Sequence, residues 1–121
     1  MSKKILIIDD ESDVMKMVVY RLKVKGYEIF TASNGKEGIE TAVMQKPSLI
    51  ILDYRLPDFK AKEVIRRIHA NEETKCAPVI LITASTESIG EKAKECGAID
   101  YIPKPIEPEE LYAQVEKYIL K

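Results

Sequence analysis

The strongest constraint on this chain is an alternation. Short, mostly continuous runs of apolar and β-branched residues, KILII, YEIFTA, LIIL, PVILIT and IDYIP, are separated by stretches in which apolar side chains recur at helical spacing. A run that is apolar at nearly every position suits a strand covered on both faces. Parallel strands need crossovers of about a dozen residues, and the intervening stretches supply them as helices. The expected fold class is therefore α/β, a parallel sheet between layers of helix.

The helical stretches carry their own boundaries. Val14, Val18 and Leu22 fall on one face ahead of Gly26, which tolerates the left-handed conformation that ends a helix. Asn34 suits the cap of a second helix, with Glu37 three residues on to complete a capping box and Pro47 just past its end. Val64, Ile65 and Ile68 mark a third helix; Ile89, Ala93 and Cys96 mark a fourth, stopped by Gly97. Pro108 fits the first turn of a fifth, whose inner face carries Leu111, Val115 and Ile119.

With 121 residues the chain has the commonest size of one domain, so residues 1–121 are expected to form a single unit. Lys+Arg number 19 against 20 Asp+Glu, and a formal net charge of -1 argues against nucleic-acid binding through overall charge. After MSKK the apolar run is only Ile5 to Ile8, too short for a secretory signal, and no run approaches the roughly 20 residues of a membrane helix. A cytoplasmic location is expected. Cys76 and Cys96 have no Cys or His at metal-ligand spacing, which leaves two reduced, packed thiols as the expectation.

In open parallel sheets, ligands collect at the carboxyl ends of the strands. Strand one ends in Asp9 and Asp10, strand three in Asp53, strand four in Thr83, and strand five leads to Lys104. Each has an ordinary explanation alone: Asp10 and Glu11 favour a helix N-terminus, Asp53 suits a turn, Thr83 closes a strand, and Lys104 is a solvated charge. Together on one edge they form a set that buried parallel strands otherwise avoid. Two carboxylates about 4 Å apart repel by roughly 4 kcal/mol at an effective dielectric of 20. A hard cation such as Mg²⁺ relieves that repulsion and accepts this all-oxygen set, whereas Ca²⁺ asks for more protein oxygens. A carboxylate beside such a cation can attack phosphorus to give an aspartyl phosphate. Asp53, alone after LIIL, is the best nucleophile; Asp9 and Asp10 suit the metal, and Lys104 and the Thr83 hydroxyl suit the peripheral phosphoryl oxygens.

Over nearly its whole length the chain resembles the receiver domain of two-component response regulators, through ILIIDDE, LIILDYRLPD, VILITA and GAIDYIPKP in that order. The resemblance implies a flavodoxin-like, doubly wound (βα)5 sandwich with strand order 2-1-3-4-5. It implies Asp53 as phosphoacceptor for a sensor histidine kinase or histidine phosphotransfer protein. Mg²⁺, or Mn²⁺ in its place, would be held by Asp9, Asp10, Asp53 and the backbone carbonyl of Arg55. Lys104 would contact the phosphoryl group, with a cis bond to Pro105, and Ala84 would leave the site open. Thr83 and Tyr101 match the switch pair, with helix 4, strand 5 and helix 5 as the face offered to a downstream effector or output domain. Such a chain catalyses its own phosphorylation and slow dephosphorylation rather than turnover of an external substrate; no direct nucleic-acid or membrane contact is implied.

Departures fall in the loops. Lys60 and Ala61 stand where the family usually has an acidic or small residue and then Gly, which predicts a differently shaped entry to helix three. Ile106 replaces a frequent Phe. Arg55 and Ser85, two places after Asp53 and Thr83, border the path of attacking water, and the Arg55 side chain is expected to cover the phosphoryl group. His69 is expected on the outer part of helix three without a relay role, and Glu11 in the first turn of helix one. A receiver-like module that signals without phosphate is the competing reading, opposed by the intact acid, hydroxyl and lysine set. A haloacid-dehalogenase-like phosphatase would need a second Asp where Arg55 stands, and a flavodoxin-type binder would need a Ser/Thr/Gly-rich loop after strand one.

Overall fold

Every apolar run forms a strand, and every helical stretch between them forms a helix. The computed structural model describes residues 2–84 and 88–120. In chain order the elements are β1 (Lys4–Ile8), α1 (Ser12–Val24), β2 (Glu28–Ala32), α2 (Gly35–Gln45), β3 (Leu49–Asp53), α3 (Ala61–Ala70), β4 (Val79–Thr83), α4 (Ile89–Cys96), β5 (Asp100–Pro103) and α5 (Pro108–Tyr118). The five strands are parallel in the order β2-β1-β3-β4-β5, the flavodoxin-like order that the resemblance implied.

Side chains alternate across the sheet and split the core in two. Leu6, Ile8, Ile50, Leu52, Val79 and Leu81 point to one face, covered by Ala42 of α2, Val64, Ile65 and Ile68 of α3, and Ala93 of α4. Ile5, Ile7, Leu49, Ile51, Ile80, Ile82 and Ile102 point to the other, covered by Val18 and Leu22 of α1 and by Leu111, Val115 and Ile119 around α5. The strands β1, β3 and β4 are therefore buried on both sides, which is why their sequences lack a polar alternation. Each fully buried Leu or Ile contributes roughly 1.5–3 kcal/mol.

The boundary residues behave as their chemistry asks. Gly26 and Gly97 take positive φ (93° and 89°) just past α1 and α4. Asn34 Oδ1 accepts the Glu37 amide at 2.8 Å and caps α2, and Pro108 opens α5. Ala61 needs no positive φ, because it is the first residue of α3 and Lys60 precedes it with extended backbone. The Gly-for-Ala concern therefore does not apply at this bend. Ile106 is buried in the second cluster, in the place of the usual Phe.

Two expectations about reactive side chains are corrected. Cys96 is half-buried, but Cys76 is exposed rather than packed, because the turn after α3 carries it outward; both are free thiols. His69 is half-buried instead of outward, with Nε2 2.9 Å from the Ala77 carbonyl, where it ties α3 to the segment before β4. Among the described residues no helix is long and apolar enough to cross a membrane.

Candidate functional site

The sheet carries its polar residues to one edge by running out of strand. The Asp9 amide still donates to the Ala32 carbonyl at 3.0 Å, so Asp9 is held where β1 leaves the sheet, and its side chain is fully buried. Asp53 is the last residue of β3 and is 4% exposed. Both aspartates fold the chain back on themselves in the same way. Asp9 Oδ1 accepts the amide of Glu11 at 2.9 Å, and Asp53 Oδ1 accepts the amide of Arg55 at 3.1 Å. These short turns fix each carboxylate against its own strand end.

Asp10 is exposed beside them, and one carboxylate oxygen from each of Asp9, Asp10 and Asp53 lies within 4.8 Å of the others. Lys104 reaches the same cluster from the end of β5, its amide donating to the Thr83 carbonyl at 2.8 Å. Its Nζ stands 3.3 Å from Asp53 Oδ2, 3.5 Å from Asp9 Oδ2 and 2.8 Å from Glu11 Oε1. The Lys104–Pro105 bond is cis, as the resemblance implied.

Burial pushes the Asp53 carboxyl up to about 6, helped by Asp9 and resisted by the Arg55 amide and Lys104. Burial works against the Lys104 ammonium too, but Glu11, Asp53 and Asp9 outweigh it and hold its pKa above the ordinary value. Lys104 therefore stays charged at neutral pH. Lys104 pairs with Asp9, Glu11 and Asp53 while Asp10 lies against the two aspartates, so among the described residues of the cluster the carboxyl groups outnumber the ammonium. Among the described residues nothing donates a hydrogen bond to the buried Asp9 Oδ2, although the Lys104 ammonium stands 3.5 Å away as an ion pair. A buried carboxylate oxygen that accepts no hydrogen bond, among crowded hard donors, fits a divalent cation such as Mg²⁺.

The remaining sequence candidates divide. Thr83 is 2% exposed at the end of β4, on the same edge, with its backbone paired to Pro103. Tyr101 is half-buried on β5 and packs toward α4, so that a Cβ at Gly90 would lie 3.7 Å from its ring. Arg55 meets the acids through its backbone; its exposed side chain lines a groove of about 440 Å³ with Tyr54, Phe59 and Lys92. Ala84 is exposed next to Thr83, and Ser85 lies outside the described residues.

Glu11 was missed. It precedes the first turn of α1 as the capping residue, and its carboxylate makes the shortest contact to Lys104 rather than serving the helix dipole. The only signal in the chain was a third acid after Asp9 and Asp10, since its partner is 93 residues away. Asp58 was missed as well. From the loop before α3 it accepts the amides of Gly35 (2.7 Å) and Lys36 (2.9 Å), capping α2 from outside.

The family model of the response regulator receiver domain matches residues 5–116. The alkaline phosphatase synthesis transcriptional regulatory protein PhoP of Bacillus subtilis (strain 168) is 37% identical over 117 residues, 96% of this chain and 48% of that protein. The phosphate regulon transcriptional regulatory protein PhoB of Pseudomonas aeruginosa is 39% identical over 115 residues, 94% of this chain and 50% of that one. The chain thus spans about half the length of these relatives. The chemotaxis response regulator CheY4 of Vibrio cholerae has the same fold, with a TM-score of 0.91 at 27% identity over 98% of this chain and 100% of that structure.

Proposed function

The chain belongs to the response regulator receiver domain family, and from that premise we propose that Asp53 accepts a phosphoryl group from a phosphohistidine on a sensor histidine kinase or phosphotransfer protein. Receiver domains are phosphorylation-activated signalling units, and their general partners are histidine kinases and effectors. The observation that carries the assignment to Asp53 is its position: a buried carboxylate at a strand end, 3.3 Å from Lys104 and within 4.8 Å of the Asp9 and Asp10 carboxylates.

In this reading an Asp53 carboxylate oxygen forms the new bond to phosphorus as the bond from phosphorus to the donor imidazole nitrogen breaks. The electron pair of the broken bond stays on the imidazole. The Arg55 amide holds Oδ1, and Lys104 faces Oδ2, so the carboxylate cannot turn away from the incoming group. Asp9, Asp10, Asp53 and the Arg55 carbonyl would hold Mg²⁺, or Mn²⁺ in its place. When bound, the ion supplies positive charge for the peripheral phosphoryl oxygens. Lys104 supplies a second positive charge and the Thr83 hydroxyl a donor. The chain thereby catalyses its own modification and slow reversal, without an external substrate.

Residues 1–121 act in this proposal as one receiver unit in the cytoplasm. Thr83 and Tyr101 form the switch: the hydroxyl moves toward the phosphoryl group, the ring turns inward, and α4, β5 and α5 offer a changed face to an effector or output domain. The half-buried Tyr101 supports this reading, since its ring packs at the edge of the core beside α4, where a Cβ at Gly90 would lie 3.7 Å from it. PhoP and PhoB are named as transcriptional regulators. We assign no nucleic-acid contact to residues 1–121, whose net charge is -1.

Incubation with Mg²⁺ and acetyl phosphate, followed by intact mass, tests the proposal. A phosphate-sized gain that EDTA and Asp53→Asn both abolish is expected. No gain with several donors and with a histidine kinase would overturn it and leave a module that signals without phosphate.

A further inference from the structure

We propose that Glu11 is a positioning residue for Lys104, holding its ammonium at the mouth of the acidic cluster while Asp53 is unmodified and yielding it when Asp53 carries a phosphoryl group. The inference rests on the roles proposed above for Asp53 and Lys104.

Lys104 has three carboxylates in reach, and it is closest to the outermost. The Glu11 contact is 2.8 Å, the length of a charge-assisted hydrogen bond, while those to Asp53 and Asp9 are 3.3 and 3.5 Å. The Lys104 side chain is only 10% exposed whereas that of Glu11 is 58% exposed, so the ammonium is pinned from the solvent side. Glu11 is itself anchored. Its backbone sits in the extended region at the cap of α1 (φ −88°, ψ 107°), and its amide donates to Asp9 Oδ1 at 2.9 Å. Asp9, Glu11 and Lys104 therefore close a ring: Asp9 Oδ1 to the Glu11 amide, Glu11 Oε1 to Lys104, and Lys104 back to Asp9 Oδ2.

A phosphoryl group adds about 1.5 to 2 negative charges and strong acceptor oxygens. Joined to Asp53, it would place them next to an ammonium that already lies 3.3 Å from Oδ2. A carboxylate that is more than half exposed is a screened competitor, and its hold corresponds to about two- to fivefold in an equilibrium. Glu11 thus sets a threshold. Its pair with Lys104 must open before Lys104 can serve the phosphoryl group fully, so loss of the Glu11 charge favours the modified state.

Beryllium fluoride, a stable phosphoryl mimic, provides the test when titrated with excess Mg²⁺ and followed by amide NMR. The proteins are wild type, Glu11→Gln, Lys104→Met, the double variant, and Asp13→Asn, which removes an equal charge from the same end of α1. Glu11→Gln is expected to lower the half-saturating concentration about two- to fivefold when Lys104 is present and to leave it unchanged when Lys104 is Met. Asp13→Asn should not reproduce the shift. An equal shift in both Lys104 backgrounds, an equal shift from Asp13→Asn, or no shift overturns the proposal. A second readout needs neither metal nor mimic: the Lys104 Nζ signal should move in Glu11→Gln and hold in Asp13→Asn. Should wild type fail to bind the mimic, the role of Asp53 is refuted, while the Nζ signal still decides whether Glu11 holds Lys104.

Discussion

Asp53 and Asp9 are buried carboxylates whose oxygens approach within 4.8 Å, and among the described residues Lys104 alone pairs with both as a counter-charge. Without a metal, that crowding works against the fold. Asp53→Asn is therefore expected to stabilise the metal-free protein by about 1–2 kcal/mol, measured by urea unfolding in EDTA. A loss of stability would mean that the Lys104 contact outweighs the repulsion. At this scale the sequence was legible where a charge stands out: Asp9, Asp10, Asp53 and Lys104 interrupt apolar strand ends, and the structure brings all four together. It was illegible where the partner is remote. Glu11 looked like a helix-start acid because nothing near it in the chain announces Lys104, and Asp58 drew no reading because the amides that donate to it lie 22 and 23 residues back.

Asp58 ties two elements together. It caps α2 from the loop that leaves Asp53, and the amides of Lys36, Gly35 and Phe59 hold its carboxyl below the ordinary range against the opposing effect of burial. Asp58→Ala should cost about 0.5–2 kcal/mol and raise amide exchange in the first turn of α2, as loss of a helix cap does. A different acid serves α3. The side chains of Arg66 and Arg67 bond Glu63 and lower its carboxyl to about 2. Because that pKa is depressed in the fold, its stabilisation is present above the ordinary 4.5 and is lost as pH falls from there through about 2. The loss of stability over that window should be shallower in Glu63→Gln and in high salt, by thermal unfolding. Gly38 shows how closely α2 lies on the sheet: an added Cβ would come within 2.5 Å of Ile8 Cδ1. Gly38→Ala should destabilise despite the better helix propensity of Ala, and Ile8→Val, which removes Cδ1, should offset part of that loss in the double variant. Helix and strand identities were plain from periodicity, whereas such contacts between elements depend on packing that no local pattern encodes.

For the whole molecule, the alternation of apolar runs and helical stretches was sufficient to anticipate every element, because strands buried on both faces leave no polar trace. The strand order was implied by resemblance and is borne out; periodicity alone cannot say which strand neighbours which. Binding at the acidic edge should couple to the stability of the entire fold, since Asp9 and Asp53 stand at the ends of the central strand β3 and its interior neighbour β1. Raising Mg²⁺ to 100 times its dissociation constant should add about 2.7 kcal/mol of stability, and EDTA should remove it, as a shift in Tm; Asp9→Asn and Asp53→Asn should blunt the response. The split of the sheet into two faces has a further consequence for how such a chain can change over time. Leu49 and Ile51 face the α1 and α5 side while Ile50 and Leu52 face the other, and Asp53 comes next in the count. Losing or gaining one residue inside β3 would exchange the faces of all that follow. Loops can therefore drift in length, while β1 and β3 are locked to parity, and a lineage of such proteins should record its insertions in the turns and almost never in those strands.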